Sequence, residues 1–146
     1  MSDPRVSWSS QANRRLRDAG GRSGAARRAV IELLEEQQCC VGAQEIHDRL
    51  RGAARPVALA SVYRVLEALT QQGLLQRLDL GDGITRFEPV RSGADHHHHL
   101  VCDGCGKVEA FADDGLESVI QEVEQRSGYA VAAHDVVLRG ACTACQ

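Results

Sequence analysis

Aromatic residues make up only 3% of the 146-residue chain: one Trp, two Tyr and two Phe. That scarcity argues against an aromatic platform on which single-stranded nucleic acid would stack. Lysine is nearly absent as well. Lys107 is the only one, so the positive charge is carried by arginine. No run of about 18 apolar residues occurs, which excludes a transmembrane helix, and no membrane partner is expected. Met1 to Gly24 contains no apolar stretch resembling a signal peptide, and the expected location is the cytoplasm. What is present is a 43% hydrophobic, 25% charged chain, enough for one ordinary core or two small ones.

The net charge of −3 conceals an asymmetry. Residues 1–89 carry 13 Lys/Arg against 11 Asp/Glu, whereas residues 90–146 carry 4 against 9. A mildly basic half joined to an acidic half suggests two domains with different partners.

Hydrophobic periodicity orders the first half. Residues 1–10, polar and containing Pro4, read as a flexible arm. Ala12 to Ala19 reads as a short basic helix ended by Gly20-Gly21. Ala26, Val30, Leu33 and Leu34 give a second helix, and Ala43, Ile46 and Leu50 a third. Val62, Val65, Leu66 and Leu69 give a fourth, ending at Gly73. Leu74 to Leu78 and Ile84 to Pro89 read as strands joined by the Gly81-Asp82-Gly83 turn. Three helices followed by a hairpin is the order of a winged helix-turn-helix, here over 11–89, with an additional N-terminal helix. Residues 90–95 read as a hinge. In 96–146, strands are expected over His98 to Cys102, Lys107 to Ala112 and Ala130 to Arg139. A helix marked by Leu116, Val119, Ile120 and Val123 makes this half α+β.

Six cysteines without an export signal do not read as a disulfide framework. Cys102-x-x-Cys105 and Cys142-x-x-Cys145 form two knuckles, each presenting two thiolates. Together they complete a closed tetrahedral Zn²⁺ site with no open position. The alternative, a redox Cys-x-x-Cys, needs only one knuckle at a helix start. The run His96-His97-His98-His99 sits just before Cys102. On a strand it would send His96 and His98 to one face and His97 and His99 to the other, so one run can feed two metal sites. A solvated surface run is the bland alternative. Glu117 lies at the edge of its helix's apolar face, where it could reach a metal or stay solvated. His134 could simply be a hydrogen-bonded strand histidine, and Cys39 and Cys40 ordinary buried small residues.

In the fourth helix Arg64 lies about 200° from Val62, opposite the apolar stripe, flanked by Ser61 and Tyr63. In a winged helix these three meet the groove, where Arg holds phosphate or guanine and Tyr meets a thymine methyl. The alternative is that Tyr63 packs and Arg64 snorkels. Arg77 and Arg86 on the hairpin could touch the DNA backbone or minor groove. There is no His-Glu-x-x-His and no nucleophile motif beside a base, so a histidine-rich metalloenzyme has little support.

These motifs carry a resemblance. Ala60-Ser61-Val62-Tyr63-Arg64-Val65-Leu66, then His96 to His99 running through Leu100-Val101-Cys102-Asp103-Gly104-Cys105-Gly106-Lys107, then Cys142-Thr143-Ala144-Cys145, resemble the ferric uptake regulator family. The resemblance covers about residues 14–145. It implies a homodimeric, metal-responsive repressor of metal-homeostasis genes that binds double-stranded operator DNA. It implies structural zinc on Cys102, Cys105, Cys142 and Cys145. It also implies a hinge sensory site on His97, His99, Glu88 and Cys40, and a second site on His96, His98, Glu117 and His134. Cys40 stands where iron-type members often have His, and His98 where many have Asp. Both changes suit Zn²⁺ by ligand softness. Val90 stands where zinc-sensing members often place a Cys, and Arg22-Ser23-Gly24-Ala25-Ala26-Arg27 replaces the usual Arg-x-Thr-Pro-Gln-Arg. The expectation leans to zinc over iron as regulatory metal, with a peroxide sensor of the same fold as the alternative.

Overall fold

The computed structural model describes residues 6–91 and 96–146. The chain divides into two compact units, Met1–Ala94 and Asp95–Gln146.

The first unit contains helices α1 (Trp8–Asp18) and α2 (Ala25–Glu36), then strand β1 (Val41–Gly42), then helices α3 (Ala43–Gly52) and α4 (Leu59–Gln71). Strands β2 (Leu75–Asp79) and β3 (Thr85–Pro89) close it. The strands form an antiparallel sheet in the order β1-β3-β2. Each helix is amphipathic and buries one stripe. Val30, Ile31 and Leu34 of α2, Ile46 and Leu50 of α3, and Val62, Leu66 and Leu69 of α4 meet in one core with Val41 and Phe87 from the sheet. With that stripe inward, α4 presents its opposite side outward, as a recognition helix requires.

The expected arm over residues 1–10 needs correction. Residues 1–5 lie outside the described residues, but α1 already begins at Trp8. Ser7 caps it, its Oγ accepting the Ser10 N–H at 3.2 Å. Trp8, Ala12 and Leu16 are buried at i, i+4 and i+8, and the Trp8 indole donates to the Leu74 carbonyl at 3.1 Å. The expected hinge over 90–95 falls largely on residues 92–95, outside the described residues.

The second unit contains β4 (His98–Cys102), β5 (Val108–Phe111), helix α5 (Asp114–Ser127) and β6 (Val137–Gly140). The sheet order is β5-β4-β6, antiparallel between β4 and β5 and parallel between β4 and β6. Asp113 caps α5, accepting the Leu116 N–H at 2.8 Å, and Gly128 ends it at φ 73°, a left-handed position that favours glycine. The final strand is much shorter than expected. Residues 130–136 alternate in sequence but form no ladder, because β4 begins only at His98 and offers β6 partners from His99 to Cys102. His134 therefore sits on an irregular segment, not a strand.

Trp8→Ala should lower the stability of the first unit by about 3–5 kcal/mol, the usual range for emptying a buried aromatic site. Urea unfolding of the variant checks this; a loss below about 1 kcal/mol would mean that Trp8 is not part of the core.

Candidate metal centres and nucleic-acid interface

The four knuckle cysteines converge. Their Sγ atoms lie within 4.8 Å of one another. Cys102 ends β4, and the chain turns back so that Gly106 N–H donates to the Cys102 carbonyl at 2.9 Å. The second knuckle follows β6 directly, and Asp103 N–H reaches the Gly140 carbonyl at 2.8 Å. The parallel β4–β6 pairing thus fixes one knuckle against the other. A Cβ at Gly104 would stand 3.1 Å from both Cβ and Sγ of Cys145, so this turn is closely fitted to the opposing thiol. The Cys142 backbone N–H donates to Cys102 Sγ at 3.3 Å. Backbone N–H groups of Cys142 and then Cys105 pull the Cys102 thiol down to about 6. Side-chain hydrogen bonds, first from Cys142, push Cys145 up to about 12. The Cys102 thiolate is stabilised by the backbone, while the Cys145 thiol resists ionising beside it. A cation lifts that conflict, so the donor set suits a soft divalent ion in a closed tetrahedral site.

A second cluster lies on one face of β4. His96, His98, Glu117 and His134 each bring a donor atom within 4.8 Å of the others. Glu117, in the first turn of α5, accepts from His98 Nε2 at 2.5 Å and from His134 Nε2 at 2.8 Å. His98 is fully buried, and its Nδ1 accepts the Val136 N–H at 3.2 Å, which places its proton on Nε2. His96 Nε2 stands 3.1 Å from His134 Nε2. Hydrogen bonds from His98 and then His134 hold the Glu117 carboxyl below the usual carboxylate range. Three imidazole nitrogens and a carboxylate aimed at one point fit a metal ion, which would take the place of the protons they share.

The hinge set is divided between the units, and each contribution stands by itself. In the second unit His97 and His99 leave the cluster just described and lie together, ring centroids 5.1 Å apart. In the first unit Glu88 is buried on β3 and accepts from Gln76 Nε2 at 2.9 Å. The expected thiol was Cys40. Within this unit it is Cys39 whose Sγ comes within 4.8 Å of a Glu88 carboxylate oxygen. Cys40 faces the core, only 6% exposed, and its hydrogen bond with Cys39, together with burial, pushes its thiol up.

On α4, Tyr63 is 52% exposed and Arg64 is exposed, with Ser61 half-buried beside them. Arg77 is exposed on β2, its guanidinium carbon 5.9 Å from the Phe87 ring centroid. Arg86 is a correction. It is 4% exposed and its guanidinium is held by Asp82 through bonds of 3.0 and 2.8 Å, so it supports the hairpin from inside rather than reaching DNA. A cleft of about 260 Å³ beside α4 gathers Arg22, Arg27 and Arg64 with no acidic residue in its lining. Arg22 and Arg27 flank the start of α2; their charge was visible in the sequence, but their approach to α4 was not.

Asp82 is held below the usual carboxylate range, first by its hydrogen bonds to Arg86. Its lowered pKa means that the pair's contribution is complete above about pH 4 and disappears as pH falls through the folded value. Asp82→Asn should cost roughly 3 kcal/mol at pH 7, because the buried Arg86 loses its counter-charge. It should also flatten the acid limb of stability against pH, measured by urea unfolding from pH 3 to 7.

A family model described as the ferric uptake regulator family matches residues 18–139. The ferric uptake regulation protein of Bacillus subtilis is 33% identical over 117 residues, covering 80% of this chain and 78% of its own. The peroxide operon regulator of the same organism is 32% identical over 130 residues, covering 89% and 88%. Among solved structures, the Vibrio cholerae ferric uptake regulator superposes with a TM-score of 0.75 at 32% identity, covering 89% of this chain and 98% of that one. Members of the family are transcriptional regulators and not enzymes, which sets the metalloenzyme alternative aside. The chain belongs to the ferric uptake regulator family of metal-responsive transcriptional regulators, with an N-terminal DNA-binding unit and a C-terminal dimerisation unit.

Proposed function

We propose that this chain is a cytoplasmic, homodimeric repressor of metal-homeostasis genes whose grip on operator DNA is set by zinc in preference to iron. The observation that carries the reading is the convergence of His96, His98, Glu117 and His134, with His97 and His99 turned away from them on the same short segment. One run of histidines serves two sites, as a sensor with more than one metal position needs.

Cys102, Cys105, Cys142 and Cys145 hold the structural zinc. His97 and His99, with Glu88 and a thiol of the Cys39-Cys40 pair, form the hinge sensory set; His96, His98, Glu117 and His134 form the second. Bound metal supplies a fixed junction that favours one orientation of the DNA-binding unit. Gln76 orients Glu88, and Val136 N–H orients the His98 ring. Ser61, Tyr63, Arg64 and Arg77 face the operator, Tyr63 and Arg64 toward bases and Arg77 toward phosphate. A second copy of the chain provides the other recognition helix for a two-half-site operator. It also covers apolar residues that the 95–146 unit leaves exposed: Val119, Val123, Tyr129 and Leu138.

Similarity does not select the metal, since the iron-type and peroxide-type relatives are 33% and 32% identical. Ligand chemistry favours zinc: the cluster on α5 and β4 offers three imidazoles and one carboxylate, and the first unit offers a thiol beside Glu88.

Cys142→Ser should remove one zinc per chain, read by elemental analysis, and lower the unfolding temperature sharply, because structural zinc binding is folding free energy. Full zinc content and an unchanged melting curve would refute the four-cysteine assignment. Operator binding by fluorescence anisotropy, in buffered free Zn²⁺ and anaerobically in Fe²⁺, tests the sensor. Zinc should activate at its cellular free level. His99→Ala should raise the zinc needed by more than about a hundredfold, beyond the roughly 10–100-fold that loss of an outer-shell partner alone costs, while keeping the structural zinc. Activation by Fe²⁺ at its cellular level, with zinc acting only far above its own, would reassign the metal.

A further inference from the structure

Helix α2 ends at Glu36, and its last turn contains no basic residue to meet the carbonyls left without helical partners. The Leu34 carbonyl accepts the Gln37 N–H at 3.1 Å, and Arg91 reaches the same end of α2 from the far end of the unit. Its Nη2 donates to the Glu35 carbonyl at 2.8 Å, to Leu34 at 3.2 Å and to Gln37 at 3.4 Å. Its Nη1 stands 3.9 Å from the Glu35 carboxylate, and its guanidinium carbon lies 5.8 Å from the centroid of the Trp8 ring. Trp8 in turn donates to the Leu74 carbonyl, which also receives the Val90 N–H at 2.9 Å. Val90 and Arg91 are the last described residues of the first unit before residues 92–95. Both are therefore tied down, one to the α4–β2 turn and one to the end of α2. Gln37, whose carbonyl Arg91 holds, lies two residues before Cys39.

We propose that Arg91 is a positioning residue that converts metal occupancy at the hinge set into DNA affinity. The connection between the units can transmit an orientation only if its starting point is rigid in the DNA-binding unit. Arg91 supplies that rigidity by binding the end of α2, and it binds the same end from which the Cys39 segment departs. Metal ligands and the start of the connection thus share one anchor. The Arg91 guanidinium is partly buried and already engaged by the end of α2, so its effect is to pass through orientation and not through contact with DNA. A planar guanidinium can bridge several carbonyls while its face lies over an indole, and an ammonium cannot do both. The inference rests on the metal-sensing reading above.

The test uses the full-length dimer with its structural zinc in place. Operator affinity is measured by anisotropy without regulatory metal and at saturating Zn²⁺, for wild type, Arg91→Ala and Arg91→Lys. In wild type the ratio of the two affinities is the coupling. In Arg91→Ala that ratio should fall about tenfold, within the usual range of such couplings, with metal-free affinity and zinc stoichiometry unchanged. Because coupling is reciprocal, operator DNA should also lose its effect on zinc affinity in the same variant. Should Arg91→Ala fail to fold, Arg91→Lys is the readout: reduced coupling with near-native melting supports the proposal. A wild-type ratio in either folded variant overturns it. A wild-type protein with no metal response would instead overturn the sensing reading, and with it this one.

Discussion

Side chains alternate across a β-strand, and most of the second unit's chemistry depends on that rule acting over the five residues of β4. The strand is paired on both edges, antiparallel to β5 and parallel to β6, so its register cannot slip without moving a whole ligand set to the wrong face. His98 faces Glu117 and His134, His99 lies with His97, and Cys102 at the strand's end opens the first knuckle. The parallel partner β6 leads directly into the second knuckle. One ladder therefore places donors for three kinds of metal position.

Electrostatics explains why these positions call for cations. In the cysteine cluster a backbone-stabilised thiolate at Cys102 stands beside a Cys145 thiol pushed up to about 12. Four adjacent thiols do not ionise together without a positive partner. At the second cluster the Glu117 carboxylate is shared by two imidazole donors and supplies the negative charge that a cation needs. Both arrangements bring their donors to one point from paired strands and a capped helix, which reduces the ordering cost of binding.

The DNA-binding unit follows a different logic. Its core comes from helix stripes, and the recognition surface is what those stripes leave outside. Burying Val62, Leu66 and Leu69 turns Tyr63 and Arg64 outward. Arginines that look equivalent along the chain then have separate roles. Arg86 is a buried partner of Asp82, Arg77 remains exposed over Phe87, Arg22 and Arg27 approach α4, and Arg91 closes the end of α2.

The sequence by itself determined the elements whose signals are local. The helix stripes, the Gly81-Asp82-Gly83 turn, the bounds of β4 and the two Cys-x-x-Cys knuckles depend on spacings of two to four residues, and short spacings translate directly into faces and turns. The histidine run declared its two faces for the same reason. Tertiary structure alone decided what depends on long-range packing. It drew Trp8 into the core, turned Arg86 inward onto Asp82, and left residues 130–136 outside the β4–β6 ladder. It also brought the Cys39 thiol beside Glu88, and placed Arg91 on carbonyls more than fifty residues earlier in the chain. The physical reason is that the burial of a side chain is set by what packs against it, and those neighbours are remote in the chain.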